Sequence, residues 1–352
     1  MTFAFVIGRP PSPSLAALLD QLEAELVDRG WDRTAKDDAK LILNVVDTAD
    51  PRPFRRHARG TYAATIYDGP SDEALAILGS SYPLLVRSLA NIVLAKVGDA
   101  VWFTTMERGN YRTSGSPLAR VVLDRLLPLA TARLVIENEF RRDLEPGLWE
   151  GDALTAEIAA AGRRIDEFGL LPAPFPIEEL LNERDLRHVH RLYGIGGLSY
   201  GNLSARKDAR RFWMSASGVD KTRLEIPGRD ILLVSDYDAD RGVIVLSVPP
   251  DVEPRRVSVD AIEHWMIYQA HPDVHAILHV HGWLDGIPTT EFNYPCGTEE
   301  LAISVAEAIA ATEDPAHAVI GLTNHGITAT GDSLGEILER IGTRLRAQVP
   351  MA

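Results

Sequence analysis

Over residues 1–145, strand-length apolar runs alternate with runs whose apolar residues recur at helical spacing, and this alternation points to an α/β layer architecture. Phe3–Ile7 reads as a strand and Leu15–Val27 as a helix. Leu41–Val46 and Tyr62–Ile66 read as buried strands bounded by Asp and Gly. Ala74–Ala95 is expected as a long apolar helix broken near Pro83, Val101–Thr105 as a strand, and Leu118–Phe140 as a helix. The first strand runs into Gly8-Arg9-Pro10-Pro11-Ser12. That segment lacks the spaced glycines of a dinucleotide fingerprint, and its prolines remove backbone donors, so no nucleotide site is read there. Thr104–Arg112 is polar and follows a strand; it reads as a surface loop, with a ligand loop as the alternative.

With 352 residues, the chain is long enough for two cores. Residues 1–145 are expected to form a smaller α/β accessory domain. Residues 146–176 are expected to form a connector, helical over Ala153–Phe168 and ended by Pro172, Pro174 and Pro176. Residues 177–352 are expected to form a second domain. In the second domain, Ile177–Tyr193 reads as one or two helices. Arg211–Ser215, Ile231–Val234, Val243–Leu246, Ala276–Val280 and Ala318–Leu322 read as strands. Val259–Gln269, Leu301–Ala311 and Ser333–Gln348 read as helices.

A formal net charge of −14 argues against nucleic acid as a partner, and the basic stretch Arg206–Arg211 reads as a solvated loop. A single cysteine, Cys296, allows no intrachain disulfide. No stretch reaches the length of a membrane helix, and the first apolar run is too short for a signal sequence, so a cytoplasmic protein is expected.

The chemistry concentrates in Ala276-Ile277-Leu278-His279-Val280-His281-Gly282. Residues two apart on a strand share a face, so both imidazoles point one way. Burying two histidines together calls for compensation, and a metal ion supplies it, zinc being a common partner of neutral imidazole. The alternative is a pair of core-edge histidines bonded to backbone. Thr323-Asn324-His325-Gly326, after a second apolar strand, offers a third imidazole. Three protein ligands with one open position is a catalytic zinc arrangement.

Six segments in order carry a further signal. They are Gly201-Asn202-Leu203-Ser204-Ala205-Arg206, Ser215-Ala216-Ser217-Gly218-Val219-Asp220-Lys221, His264 through Tyr268-Gln269-Ala270-His271-Pro272-Asp273 into His279-Val280-His281, Ile287-Pro288, Pro295-Cys296-Gly297-Thr298-Glu299-Glu300-Leu301-Ala302, and Thr323-Asn324-His325-Gly326. Over residues 180–345 the chain thereby resembles the class II aldolase/adducin family. The resemblance implies a domain with a central, mainly antiparallel sheet and a divalent metal, zinc above all, on His279, His281 and His325. It also implies a pocket for a small hydroxy-carbonyl compound or sugar phosphate, whose anionic end would meet Asn202, Ser217 and Gly218, with Ser258 as a further candidate.

The chemistry implied is lyase or isomerase chemistry through a metal-stabilised enediolate. Retro-aldol cleavage, epimerisation, dehydration and decarboxylation are all open. The family's aldolases place a glutamate nineteen residues before the first metal histidine; here that position is Asp260, as in the family's sugar-phosphate epimerases, where aspartate can join the metal shell. Glu263, one turn on, and His264 are alternative acid/base groups. Only Gly282–Gly286 separates the histidine pair from Ile287-Pro288, where active members carry a longer segment with a catalytic tyrosine or aspartate; Asp285 and Tyr294 are the replacements at hand. A homo-oligomer is implied as well. Two other readings stand beside the enzyme: a non-catalytic, adducin-like scaffold, and a biosynthetic two-domain enzyme whose N-terminal half completes the active site.

Overall fold

The computed structural model describes residues 1–54, 60–105, 109–170, 177–193, 201–347 and 349, with the backbone alone over 190–193. They fall into two compact units, Met1–Thr131 with Pro176–Tyr193, and Ala132–Phe175 with Gly194–Pro350. The chain therefore enters the second unit, returns to the first and enters the second again.

In the first unit, β1 (Thr2–Ile7) leads into α1 (Pro13–Asp28), followed by β2 (Asp32–Arg33), β3 (Leu41–Val45) and β4 (Tyr62–Asp68). Then come α2 (Ala74–Ser88), β5 (Ile92–Val97), β6 (Ala100–Thr105), β7 (Gly109–Ser114) and α3 (Leu118–Thr131). The seven strands form one sheet in the order β2-β1-β3-β4-β5-β6-β7. Pairing is parallel from β2 to β5 and antiparallel from β5 to β7. β3 is buried at every residue, as a central parallel strand covered on both faces must be. α1 starts two residues before the expected Leu15: Ser12 Oγ accepts the Leu15 amide and Pro13 takes the first turn.

Three expectations fail here. The helix over Ala74–Ala95 neither breaks at Pro83 nor reaches Ala95. α2 runs through the proline because Tyr82, Leu84, Leu85 and Val86 around it are all buried, and it stops where Leu89 turns left-handed with φ 58°. The β-branched run after it pairs with β4 as β5. The helix from Leu118 ends at Thr131, and Phe140 lies on a strand of the second unit. Of Thr104–Arg112, the described residues are strand rather than loop, Thr104 and Thr105 on β6 and Gly109–Arg112 on β7: Asn110 and Tyr111 are buried, and Tyr111 stacks on Phe103 with centroids 5.0 Å apart. Met106, Glu107 and Arg108 of that segment lie outside the described residues.

The second unit begins with β8 (Glu137–Arg141) and α4 (Ala153–Asp166). The helices α5 (Ile177–Leu180) and α6 (Glu183–Tyr193) belong to the first unit, where the Arg87 guanidinium on α2 grips the buried Asp185 at 2.7 Å. The second unit resumes with β9 (Gly201–Arg206), β10 (Phe212–Ser215), β11 (Ile231–Asp238), β12 (Val243–Ser247), α7 (Ala261–Ala270), β13 (Ala276–Val280), α8 (Glu299–Ala310), β14 (Val319–Leu322), β15 (Gly326–Gly331) and α9 (Leu334–Ile341). Its sheet runs β14-β15-β13-β9-β10-β11-β12-β8, antiparallel throughout except where β8 joins β12. This is the mainly antiparallel sheet of a mixed α/β domain that the motifs imply.

α4 falls in the segment expected as a connector, yet Ile158, Ala161 and Ile165 sit in the core of the second unit with Leu203, Trp213 and Leu278. Pro172, Pro174 and Pro176 lie outside the described residues. The last helix is shorter than Ser333–Gln348. Ser333 caps α9, which ends at Ile341, and by Arg346 the backbone is hydrogen-bonded to Trp283. Gln348 lies outside the described residues. In the basic stretch, Lys207, Arg210 and Arg211 are tied to Asp152, Asp236 and Glu145 at 2.8, 2.6 and 2.6 Å. Among the described residues no helix is long and apolar enough to cross a membrane.

Candidate metal centre

β13 lies between β15 and β9 and is buried along its whole length. His279 stands directly opposite Thr328 on β15 and Asn202 on β9. His281 follows just beyond the strand end, on the face His279 uses. His325 arrives from β14 through a tight turn: Asn324 adopts φ 59° and the His325 amide donates to the Leu322 carbonyl at 2.9 Å. Two glycines let the strands close up around the histidines. A Cβ on Gly201 would sit 2.0 Å from the His279 carbonyl oxygen, and one on Gly326 2.3 Å from that of Val280.

The result is a cluster of His279, His281 and His325 whose donor atoms all lie within 4.8 Å of one another. His279 and His325 are buried, His281 half-buried. His281 Nε2 and His325 Nε2 face each other at 3.2 Å. Around a tetrahedral ion with metal–nitrogen distances of ~2.0–2.1 Å, donors are roughly 3.3 Å apart, so this pair already has the spacing of two ligands. The donor set suits zinc, and three imidazoles leave a fourth position open. Cys296 Sγ lies 3.4 Å from His325 Nε2, a neighbour that sequence reasoning did not assign to the site.

Asp260 and Glu263 are not members of that three-histidine cluster. Asp260 is the N-cap residue of α7 and Glu263 lies in its first turn; the helix packs against α8 and is buried nearly all round. Asp260 Oδ2 accepts the Asn202 amide at 2.9 Å and Glu263 Oε1 the Thr328 hydroxyl at 2.6 Å. His264 Nδ1 and the Tyr268 hydroxyl lie 2.7 and 2.8 Å from Ser204 Oγ. Complete burial pushes His264 down to about 3 and Tyr268 above the usual phenol range, so both are neutral polar members of the core.

The anion-binding candidates gather at the start of α7. The Ser217 amide donates to the Arg256 carbonyl and the Ser258 amide to that of Ser215, at 2.9 and 3.3 Å, laying the two loops side by side. Ser217 and Gly218 are exposed, Gly218 with φ 64°; Ser258 is buried two residues before Asp260. Asn202 joins them through its bond to Asp260. Beneath the same loop lies Lys221, fully buried, its ammonium donating to the Ala216 carbonyl at 3.3 Å and pushed down to about 8 by desolvation. Of the proposed replacements for the shortened segment, Asp285 is exposed and ion-paired with Arg346. Tyr294 is half-buried, its hydroxyl raised by desolvation and by Glu300 and Glu291.

Residues 186–283 match the model of the Class II Aldolase and Adducin N-terminal domain. A comparison with curated proteins yields no match. Among solved structures, an L-fuculose 1-phosphate aldolase is 19% identical over 55% of this chain and 83% of its own, with a TM-score of 0.38. L-fuculose-1-phosphate aldolase from Thermus thermophilus is 20% identical over 54% and 86%, with a TM-score of 0.33. YgbL from Klebsiella pneumoniae, described as a putative aldolase/epimerase/decarboxylase, is 18% identical over 54% and 84%, with a TM-score of 0.36. The segment that carries the first two histidines of the cluster, residues 186–283, is thus of the class II aldolase and adducin type.

Proposed function

We propose that the chain is a metal-dependent lyase or isomerase of the class II aldolase type, acting on a small hydroxy-carbonyl compound with an anionic end such as a phosphate. One observation carries this reading: three imidazoles, from β13, from just past its end and from the turn between β14 and β15, converge with their donor atoms within 4.8 Å of one another, and the first two lie in the segment that the family model matches. A divalent ion held by His279, His281 and His325 would supply a Lewis acid that polarises a substrate oxygen. The chain's own task is then to bind the anion and move a proton. Asn202, Ser217, Gly218 and Ser258, grouped at the start of α7, would take the anionic end with hydroxyl, amide and backbone donors. Asp260, beside Asn202, is the proton-transfer group, and Glu263 is the second carboxylate on the same helix face.

The test is metal content in protein purified without chelator or metal-affinity tag, beside a His279→Ala/His281→Ala variant. About one divalent ion per chain, absent from the variant, is the expected result. A parent that holds none after zinc is offered would overturn the reading. That outcome would favour a non-catalytic, adducin-like role, for which there is one specific observation: between His281 and Glu299 the chain forms neither helix nor strand, only backbone bridges such as Thr289 to Gly321.

A further inference from the structure

His279 has a polar side chain directly opposite it on each neighbouring strand, Asn202 on β9 and Thr328 on β15. The N-cap and first turn of α7 set one carboxylate against each, Asp260 on Asn202 and Glu263 on Thr328, three residues apart. All five side chains are buried.

The Thr328 contact has a direction. A threonine hydroxyl carries one hydrogen, and here the Glu263 carboxyl oxygen accepts it. The short 2.6 Å bond to Glu263 Oε1 therefore takes the Thr328 hydrogen. Toward His279 Nδ1, 3.4 Å from the same oxygen, Thr328 has only lone pairs to offer. The imidazole must then bring the hydrogen, on Nδ1, which leaves the lone pair on Nε2.

We propose that Thr328 and Glu263 form a positioning relay that fixes His279 as the Nδ1–H tautomer and so presents Nε2 as a metal donor. Neither residue belongs to the three-histidine cluster; they would act through His279, in the manner of the outer partners that orient metal-bound histidines elsewhere. The relay also gives Glu263 a role distinct from proton transfer. The value of the tautomer rests on the metal reading, but the tautomer itself belongs to the metal-free protein.

The test is a long-range 1H–15N spectrum of the full chain, labelled with 15N-histidine and freed of metal, which reports the ring nitrogen that carries hydrogen. His279 is assigned by the signals lost in His279→Gln. The parent is expected to show His279 as Nδ1–H, Thr328→Val to lose that pattern, and Thr328→Ser to restore it. By chelator competition, Thr328→Val should bind zinc about 10–100-fold more weakly, with Thr328→Ser close to the parent. An Nε2–H pattern in the parent, or the same pattern and zinc affinity in folded Thr328→Val, would overturn the relay. Should Thr328→Val fail to fold, Glu263→Gln takes its place: its amide can donate to Thr328 and free the hydroxyl hydrogen for His279, so it should lose the Nδ1–H pattern, and an unchanged pattern would overturn the relay. A parent that shows Nδ1–H yet binds no zinc supports the relay and sinks the metal reading, so the two failures are distinct.

Discussion

Asn324 is buried at φ 59°, a conformation that costs most side chains about 1–2 kcal/mol and glycine almost nothing. Asn324→Ala and Asn324→Gly both lose the amide, so their difference isolates the backbone. Denaturant unfolding should find the glycine variant more stable by about 1 kcal/mol, the reverse of the usual order. Lys221 makes a pH prediction. Its pKa falls from 10.5 in the unfolded chain to about 8 in the fold. Between those values the unfolded state holds more protons, so the stability of the fold rises with pH across the window, and below about 8 the cost of the buried charge is complete. Lys221→Met should therefore stabilise the protein by about 1–3 kcal/mol at pH 7. Thermal melts should show that gain shrinking toward pH 10. The histidine pair was legible in the sequence because a two-residue period is a local property. The Thr328–Glu263 contact was not, because it depends on the register of two strands and the seating of a helix. Lys221 was invisible for a related reason: in sequence, a lysine reads as surface.

At the scale of elements, the sheet around the histidines tolerates no added atoms where backbones touch. Gly326→Ala would drive a methyl to 2.3 Å from the Val280 carbonyl oxygen. Gly335, inside α9, has only the distant Ser333 hydroxyl near its missing Cβ. Calorimetry should find Gly326→Ala destabilised by at least about 3 kcal/mol and Gly335→Ala stabilised by about 0.4–1 kcal/mol. Strands whose runs are apolar but for a single residue, β3 with Asn44 and β13 with His279, could be read almost to the residue. β7, β8 and β9 could not, because Asn, Arg, Ser, Glu and Thr dominate them, nor could β15, framed by glycines and half threonine and alanine; pairing with neighbours makes them strands. Pro83 misled in the other direction, the burial of its neighbours Tyr82, Leu84 and Leu85 outweighing one lost hydrogen bond.

At the scale of the whole molecule, length pointed to two cores, but the place where one ends is a matter of packing. A fragment of residues 177–352 lacks β8 and α4, whose Ile158 and Ile165 are part of the second core, whereas 132–350 keeps them. Circular dichroism and proton NMR should find the shorter fragment unfolded and the longer one folded; two folded fragments would show α4 to be dispensable. The same threading sets a timetable during synthesis. β8 leaves the ribosome well before β12, its neighbour in the sheet, and at about 5–20 residues per second the intervening stretch of roughly a hundred residues takes some 5–20 s to appear. Over that interval the first unit gains α5 and α6 while the nascent second unit holds an unmatched strand and an uncovered apolar helix, a period in which a chaperone has something to bind.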